Sequence, residues 1–268
     1  MKKIKAIILR TAGTNCDKET AFAFKSTGAE TELVHINELA RGEKSLGDYQ
    51  ILAIPGGFTY GDDIASGKIL ANELKFKLEN DVRKFIRNGK LVIGICNGFQ
   101  VLVKAALLPN ISGDFETIES TLTLNDSNKF EDRWIYLKRP EVMGHRQECI
   151  WTKGMDRTIQ LPIAHGEGKF IPLNNNIRKK IKDEGLVVFE YADNKGCRAK
   201  KYPDNPNGSV DNIAGICDKT GRVFGLMPHP ERHIDGYQHP CWTRTGRTGR
   251  GDGFNIFKNG VDFAKKHL

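Results

Sequence analysis

The sequence lacks any apolar run approaching the roughly 18 residues that a membrane-spanning helix requires. The apolar stretch near its start, Ile4–Leu9, ends at Arg10 and is too short for the core of a signal peptide. Its β-branched residues are instead typical of a strand that is buried on both faces. We therefore expect a cytoplasmic protein without membrane contact.

The sequence also lacks paired cysteines. Six cysteines lie at positions 16, 96, 149, 197, 217 and 241, and no two of them have CxxC spacing. This gives little support to a zinc site or a thioredoxin-like site, so we expect no metal on this chain. Because no export signal is evident, the thiols are expected to be reduced. A reactive cysteine must therefore be identified from its surroundings.

A concentrated basic region of the kind that binds nucleic acid is missing as well. The chain has 41 basic and 33 acidic residues, a net charge of +8, but the excess is spread thinly. Two locally basic stretches stand out, Arg178–Lys182 and Arg244–Arg250. We expect no nucleic-acid partner. A mildly basic surface instead suits a phosphorylated substrate or an acidic protein partner.

What is present is an alternation of apolar strands and amphipathic helices in the first half of the chain. The pattern predicts strands at Ile4–Leu9, Thr31–Ile36, Ile51–Ile54 and Leu91–Ile95, and helices from Asp17 to Gly28, over 69–87 and over Gly98–Leu107. Such βαβ alternation predicts an α/β fold with an open, mostly parallel sheet and helices on both faces.

The second half of the chain predicts an added antiparallel section. Strand-like runs lie at Thr117–Leu124, Arg133–Leu137, Cys149–Trp151, Leu186–Tyr191, Ile213–Cys217 and Val223–Leu226, before a last helix over Phe254–Lys265. The turn after Cys217 is the clearest hairpin signal. No internal repeat and no low-complexity linker is evident, so we expect one domain over residues 1–268.

The segment Gly94-Ile95-Cys96-Asn97-Gly98 joins a predicted strand to a predicted helix. Glycines on either side of a nucleophile at such a turn are the pattern of a nucleophile elbow. The helix N-terminus would favour the thiolate of Cys96. The same residues also fit a buried structural cysteine in a glycine-containing turn.

Two further loops follow strands and would meet Cys96 at the same edge of the sheet. In Pro55-Gly56-Gly57-Phe58, glycines leave backbone N–H groups free to stabilise an oxyanion. In Met227-Pro228-His229-Pro230-Glu231, an extended chain would place His229 and Glu231 on one side. A cysteine nucleophile needs a base and a group that orients the base, and these two residues fit those roles.

These three elements, in this order, resemble the class I (triad) glutamine amidotransferases, whose fold is flavodoxin-like. Within that group the chain is most similar to the glutaminase subunits of phosphoribosylformylglycinamidine synthase. The resemblance covers nearly the whole chain and rests on six segments: 13–17, 55–62, 94–100, 164–168, 207–215 and 227–232.

The resemblance implies a Cys96, His229 and Glu231 triad that hydrolyses L-glutamine. It places the oxyanion against the N–H groups of Gly57 and Asn97. Residues expected to contact the substrate are Phe58 and Gln100, with His165 and Glu167 as weaker candidates that also suit the ammonia exit, the partner interface or a purely structural loop.

The resemblance further implies that the ammonia passes to a large synthetase subunit, which uses ATP to convert formylglycinamide ribonucleotide to formylglycinamidine ribonucleotide. A small bridging subunit is expected to join the two. Because the chain shows no Walker motif, ATP and Mg²⁺ are expected on the partner and no cofactor on this chain.

The chain departs from the family pattern at Ala12, where proline is common, and in the longer segments Phe130–Arg146 and His233–Gly251. We hypothesise that Arg244, Arg247 and Arg250 form a basic loop that docks on the synthetase or on phosphate bound there; a solvated loop is the alternative.

Three other functions stay open: a glutaminase for a guanylate, cytidylate or anthranilate synthetase, a stand-alone cysteine hydrolase, and a non-enzymatic regulatory subunit. The motifs around Cys96 and after Pro55 disfavour the first. The second usually has histidine directly after the cysteine, where Asn97 stands here. The complete Cys, His and Glu set disfavours the third.

Overall fold

The computed structural model describes residues 3–141 and 148–268. In chain order the strands are β1 Lys5–Arg10, β2 Glu30–His35, β3 Ile51–Ile54, β4 Leu91–Ile95, β5 Ser120–Thr123, β6 Glu131–Lys138, β7 Thr158–His165, β8 Lys169–Pro172, β9 Val187–Ala192, β10 Ile213–Cys217 and β11 Val223–Leu226. The helices are α1 Asp17–Ser26, α2 Ile36–Ala40, α3 Lys68–Lys77, α4 Glu79–Arg87, α5 Asn97–Lys104, α6 Asn175–Asp183, α7 Trp242–Thr245 and α8 Phe254–His267.

Within the described residues, nine strands form one sheet in the order β2-β1-β3-β4-β11-β10-β9-β6-β7. The five strands from β2 to β11 run parallel, and the remaining neighbours pair antiparallel. A second, two-stranded sheet pairs β5 with β8. The predicted α/β fold, with a mostly parallel sheet and an added antiparallel section, is confirmed.

The parallel strands are apolar because both of their faces are covered. Every residue of β3, β4 and β11 is buried, as expected for the centre of a doubly wound sheet. Helices α1 and α8 pack on each other through Phe24 and Phe257, whose ring centroids lie 4.9 Å apart. Helix α3 packs against α5. No helix among the described residues is long and apolar enough to cross a membrane.

Several predicted elements differ in the structure. The predicted helix over 69–87 is two helices, because the chain breaks at Leu78, where φ is −128°. The predicted strand Cys149–Trp151 is instead a 3-10 turn, Ile150–Thr152. Its apolar residues pack against helices, with Trp151 lying edge-on to Phe24. The predicted strand Thr117–Leu124 is shorter, and residues 142–146 of the extended segment Phe130–Arg146 lie outside the described residues.

Candidate active site

Cys96 lies between β4 and α5, in the strand–turn–helix setting that the sequence predicts. Its backbone has φ 52° and ψ −106°, a conformation that costs free energy for a residue with a side chain. Both flanking glycines are needed for the turn: a Cβ at Gly94 would lie 2.5 Å from the Gly98 oxygen, and one at Gly98 would lie 1.9 Å from the Ile54 oxygen. The turn therefore holds the thiol in a strained, fixed orientation.

Strand β11 brings the histidine loop to this elbow. It lies parallel to β4 with Leu226 opposite Ile95, and the Cys96 N–H donates to the Leu226 oxygen at 2.8 Å. Because both strands end at the same edge, the residues that follow β11 lie beside Cys96. The His229 N–H donates to the Pro162 oxygen of β7 at 2.8 Å, which fixes the loop from its other side.

His229 and Glu231 form a buried pair. His229 Nδ1 lies 2.6 Å from Glu231 Oε1, and the two residues are 2% and 1% exposed. The prediction of an extended backbone for this segment is wrong, because Pro230–Arg232 is a 3-10 turn. The turn folds the chain so that the carboxylate reaches Nδ1 of the ring. The contact therefore depends on the turn and not on strand alternation.

The electrostatics of the pair favour a charged imidazole. Burial opposes the charge of His229, but Glu231 and, next, Cys96 raise its pKa well above the ordinary value. Among the described residues, His229 Nε2 has no hydrogen-bond partner. With Nδ1 occupied by Glu231, Nε2 is the nitrogen that is free to exchange a proton with the thiol or the substrate.

The loop after β3 completes the centre. A Cβ at Gly56 would lie 2.8 Å from His229 Cε1 and 3.5 Å from Cys96 Cβ, so both side chains converge on this loop. Gly57 has φ 149° and bridges to Thr14. The Asn97 N–H belongs to the first turn of α5, whose amides have no acceptor within the helix. Both amides thus come from backbone next to Cys96.

The Asn97 side chain joins the loop after β3 to helix α5. Its Oδ1 accepts from Thr59 Oγ1 at 2.7 Å and from the Thr59 N–H at 3.4 Å. Its Nδ2 donates to Gln100 Oε1 at 2.9 Å and to Asp62 Oδ1 at 3.2 Å. Asn97 is 1% exposed, so these bonds are shielded from water. From the sequence, only the backbone N–H of this residue was expected to have a role.

The predicted substrate-contacting residues occupy different environments. Phe58 is 46% exposed and faces Phe130, with ring centroids 6.2 Å apart. Gln100 is buried and donates to the Glu167 oxygen at 2.6 Å. The Glu167 carboxylate accepts from the Ser66 N–H at 3.3 Å. His165 is 3% exposed and lies beneath the surface of the site.

Cys16 is a second thiol in the centre that the sequence analysis did not assign. Its Sγ lies 4.0 Å from His229 Nδ1 and accepts from Arg232 Nη2 at 3.1 Å. Burial raises the pKa of this thiol. The motif that contains Cys16 pointed to the family, but no pattern in the sequence placed it beside His229, because their contact is long-range.

Cys16, His229 and Glu231 are also the one group among the described residues with metal-binding potential. Their ligand atoms lie within 4.8 Å of one another. The Arg232 guanidinium at Cys16 would repel a cation, and His229 Nδ1 is already bonded to Glu231. The arrangement therefore suits acid–base chemistry better than metal binding.

The basic segment is held to the rest of the chain at two of its three arginines. Arg247 Nη2 donates to Gln160 Oε1 at 2.9 Å, and Arg250 Nη1 donates to Asp235 Oδ1 at 2.9 Å. Arg244 lies on the exposed short helix α7, where a loop was expected. Docking through this segment stays a prediction, with Arg244 the most available of the three.

Comparison with known proteins identifies the family. Residues 3–264 match the model of the CobB/CobQ-like glutamine amidotransferase domain. A curated relative, phosphoribosylformylglycinamidine synthase subunit PurQ of Dehalococcoides mccartyi, is 48% identical over 99% of this chain and 100% of its own length. The PurQ subunit of Methanococcus maripaludis strain S2 is 42% identical over 98% of both chains.

Solved structures agree with this result. A chain from the structure of PurLQS from Thermotoga maritima is similar with a TM-score of 0.72 and 28% identity, covering 98% of this chain and 99% of that one. A glutamine amidotransferase from the same organism, with a TM-score of 0.51 and 14% identity over 99% of this chain and 94% of that one, shares the fold. The chain therefore belongs to the class I glutamine amidotransferases, in the family of the PurQ subunits of phosphoribosylformylglycinamidine synthase.

Proposed function

We propose that this chain hydrolyses glutamine through Cys96, His229 and Glu231 and supplies the ammonia to the synthetase of phosphoribosylformylglycinamidine synthase, in purine biosynthesis. One observation carries the assignment of the residues: the strained elbow of Cys96 meets a buried His229–Glu231 pair at one edge of the sheet. The relatives named PurQ support the choice of synthetase.

The first half of the reaction releases ammonia. Cys96 gives its proton to His229 Nε2, and its sulfur forms a bond to the amide carbon of glutamine. The resulting tetrahedral intermediate carries a negative oxygen. When the C–N bond breaks, His229 returns the proton to the leaving nitrogen, which departs as NH₃. A glutamyl thioester stays on Cys96.

The second half regenerates the thiol. Water attacks the thioester carbon while His229 Nε2 takes one of its protons. The tetrahedral intermediate collapses to glutamate, and the sulfur leaves with the proton held by His229. Glu231 keeps the ring in one tautomer and stabilises the imidazolium in both halves, as its 2.6 Å contact with Nδ1 allows.

Backbone amides stabilise the two oxyanions in this proposal. One N–H group belongs to Gly57, in the loop after β3, and the other to Asn97, the first residue of α5; such a donor contributes roughly 10²–10³-fold to kcat. Phe58 at the exposed rim and Gln100 in the wall are the residues we propose for glutamine binding. Gln100 acts from a position fixed by Asn97.

The partners follow from the function. We propose that a synthetase subunit holds ATP and Mg²⁺, converts formylglycinamide ribonucleotide to formylglycinamidine ribonucleotide, and is joined to this chain by a small bridging subunit. The similar Thermotoga maritima chain comes from a structure described as PurLQS, which supports assembly with further subunits.

Replacing Cys96 with alanine tests this function. In the reconstituted complex, Cys96→Ala is expected to abolish synthesis from glutamine, because it removes the sulfur that we propose forms the thioester. Synthesis from added ammonium salts is expected to continue, since the synthetase is unchanged. Cys197→Ala, which removes an exposed thiol, is the matched control. Glutamine-dependent synthesis by Cys96→Ala would refute the proposal.

A further inference from the structure

Lys104 is a buried lysine at the end of α5 that has no part in the mechanism above. It is 9% exposed. Burial lowers its pKa, and the carboxylates of Glu167 and Asp62 act in the opposite direction. Taking an ammonium group out of water costs free energy unless partners compensate for the lost hydration. The groups that Lys104 contacts therefore indicate why a lysine is buried here.

The ammonium group of Lys104 joins two segments that lie outside α5. Its Nζ donates to the Ser66 oxygen at 2.5 Å and lies 3.9 Å from Glu167 Oε2. The Ser66 N–H donates to the same carboxylate oxygen at 3.3 Å. Lys104 thus holds one group of the Ser66 backbone and Glu167 holds the other. The segment that follows β3 and the loop that follows β7 meet at this point.

Segment 59–67, which contains Ser66, is strained. Three successive residues at 60–62 have φ values of 55°, 71° and 55°, and the first and third of them carry side chains. Strained backbone of this kind persists only when surrounding contacts hold it. A Cβ at Gly67 would lie 3.0 Å from Val101 Cγ2, so the segment packs tightly on α5. Its conformation therefore depends on its contacts with this helix.

Helix α5 holds this segment near both of its ends. The Asn97 side chain, at the start of the helix, accepts a hydrogen bond at 2.7 Å from the side chain of the first residue of the segment. Two turns later, on the same face of the helix, Lys104 holds the other end. Between them, Gln100 Nε2 donates to the Glu167 oxygen at 2.6 Å. One face of α5 therefore contacts both the segment and the loop after β7.

We propose that Lys104 is a positioning residue, which fixes segment 59–67 and Glu167 against α5. This inference rests on the proposed glutaminase function. The segment continues directly from the loop of Gly57, whose amide is a proposed oxyanion donor, and Glu167 anchors Gln100, a proposed substrate contact. Lys104 acts through these groups and does not itself touch glutamine.

A purely structural role for Lys104 makes a different prediction. A lysine in the last turn of a helix is favoured by the helix dipole, whatever its side chain contacts. In that case its replacement would lower the stability of α5, and its effect would not depend on Glu167. The experiments must therefore measure catalysis, the dependence on Glu167 and the state of segment 59–67.

Steady-state release of glutamate by the reconstituted complex is the first measurement. Lys104→Met removes the charge and keeps a long side chain. It is expected to lower kcat/KM for glutamine roughly tenfold or more, the effect of losing one hydrogen bond from a charged group. Synthesis from added ammonium salts should stay at the wild-type rate. Lys104→Arg retains the cation and should recover part of the loss.

Lys266→Met is the matched control. Lys266 is exposed in the last turn of α8, so the same substitution there removes a lysine near a helix end without touching the candidate site. This variant should keep wild-type kcat/KM.

A double-mutant cycle tests whether Lys104 acts through Glu167. Glu167→Gln alone leaves the buried ammonium without its carboxylate and should also lower kcat/KM. If the two residues act together, Lys104→Met should cost little more when Glu167→Gln is already present. Independent roles would instead multiply the two losses.

Hydrogen–deuterium exchange of the full chain reports on the segment itself. In Lys104→Met, peptides from segment 59–67 should exchange faster than in the wild type, while peptides from β4 should be unchanged. If Lys104→Met does not fold, Glu167→Gln decides the question, because it weakens the acceptor of the Ser66 N–H and should speed exchange in the same peptides.

Wild-type kcat/KM in folded Lys104→Met, losses that multiply in the double variant, or unchanged exchange in segment 59–67 would each overturn the positioning role. The proposed function fails by a different result, glutamine-dependent synthesis by Cys96→Ala.

Discussion

At the scale of single residues, the two nitrogens of His229 have different tasks. Nδ1 is occupied by Glu231 at 2.6 Å, and Nε2 is unpaired among the residues that the structure describes. In the proposed mechanism, only the unpaired nitrogen moves protons between Cys96, glutamine and water. The carboxylate would act through the ring, by fixing its tautomer and its charge.

His229→Ala is therefore expected to cost more activity than Glu231→Gln. A general acid–base group contributes roughly 10²–10⁴-fold, and the alanine variant loses that contribution entirely. Glu231→Gln keeps a hydrogen-bonding side chain at Nδ1 but removes the negative charge. Steady-state kcat for glutamate release in the complex measures both. Equal losses would give Glu231 a larger role, and a wild-type rate for Glu231→Gln would remove it from the mechanism.

At the scale of elements, helix α5 and the loop after β3 act as one unit because the Asn97 side chain joins them. Its bonds to Thr59 and Asp62 cross from the elbow to the loop after β3, and its bond to Gln100 lies within α5. The amides of Gly57 and Asn97 can stabilise an oxyanion only if these two elements hold their relative position.

Asn97→Ala is expected to lower kcat by about 10²-fold, the cost of displacing catalytic groups by about 1 Å. The backbone N–H groups remain in this variant, so a lower kcat would be caused by the loss of the side-chain hydrogen bonds. Circular dichroism melting and glutaminase assays measure stability and activity in parallel. Asn194→Ala, in an exposed turn, is the control. A variant with wild-type kcat would show that the loop is positioned by other contacts.

The elements that carry the motifs could be predicted from sequence because their signals are local. Apolar runs followed by glycine or proline marked β3, β4 and β11, and the loops after them contain the candidate residues. Strand β7 was missed, since Pro162 interrupts its pattern; a proline is tolerated there because β7 is an edge strand. Helix α6 was missed because it buries only Ile181.

Residue types and sheet topology were enough to predict which loops lie at the candidate site, but not the contacts between their side chains. Parallel strands bring their carboxyl ends together, so Cys96, Gly57 and His229 were expected at one edge. The position of Cys16 and the burial of His165 depend on contacts between distant segments, which no local pattern encodes. The contact between His229 and Glu231 was expected from an extended backbone, but it forms through the 3-10 turn at Pro230.

At the scale of the whole molecule, burial of His165 makes the free energy of unfolding depend on pH. Its pKa is about 3 in the folded chain, compared with an ordinary value of 6.5. Between these pH values the unfolded chain binds more protons than the folded chain, so the free energy of unfolding falls as the pH falls. The stabilisation by neutral His165 is complete above pH 6.5 and is lost progressively toward pH 3.

Urea unfolding at pH 7 and pH 5 measures this contribution. From the two pKa values, His165 should account for a loss of about 2 kcal/mol in the free energy of unfolding between these conditions. In His165→Asn the loss should be smaller by that amount, because asparagine does not titrate. The other histidines are present in both chains and cancel in the comparison. The same pH dependence in both proteins would show that His165 is protonated as easily in the folded chain as in the unfolded one.

Two thiols, Cys96 and Cys16, lie beside His229, and we propose that Cys96 is the nucleophile. Cys96 lies on the strained elbow at the start of α5, whereas Cys16 lies against Arg232 on the Nδ1 side of the ring. A glutamine analogue with an electrophile at the amide carbon tests this directly, since it forms a covalent bond only with the sulfur that attacks that carbon. Peptide mapping by mass spectrometry should find one label per chain, on Cys96. A label on Cys16, or on any of the other cysteines in its place, would contradict the account.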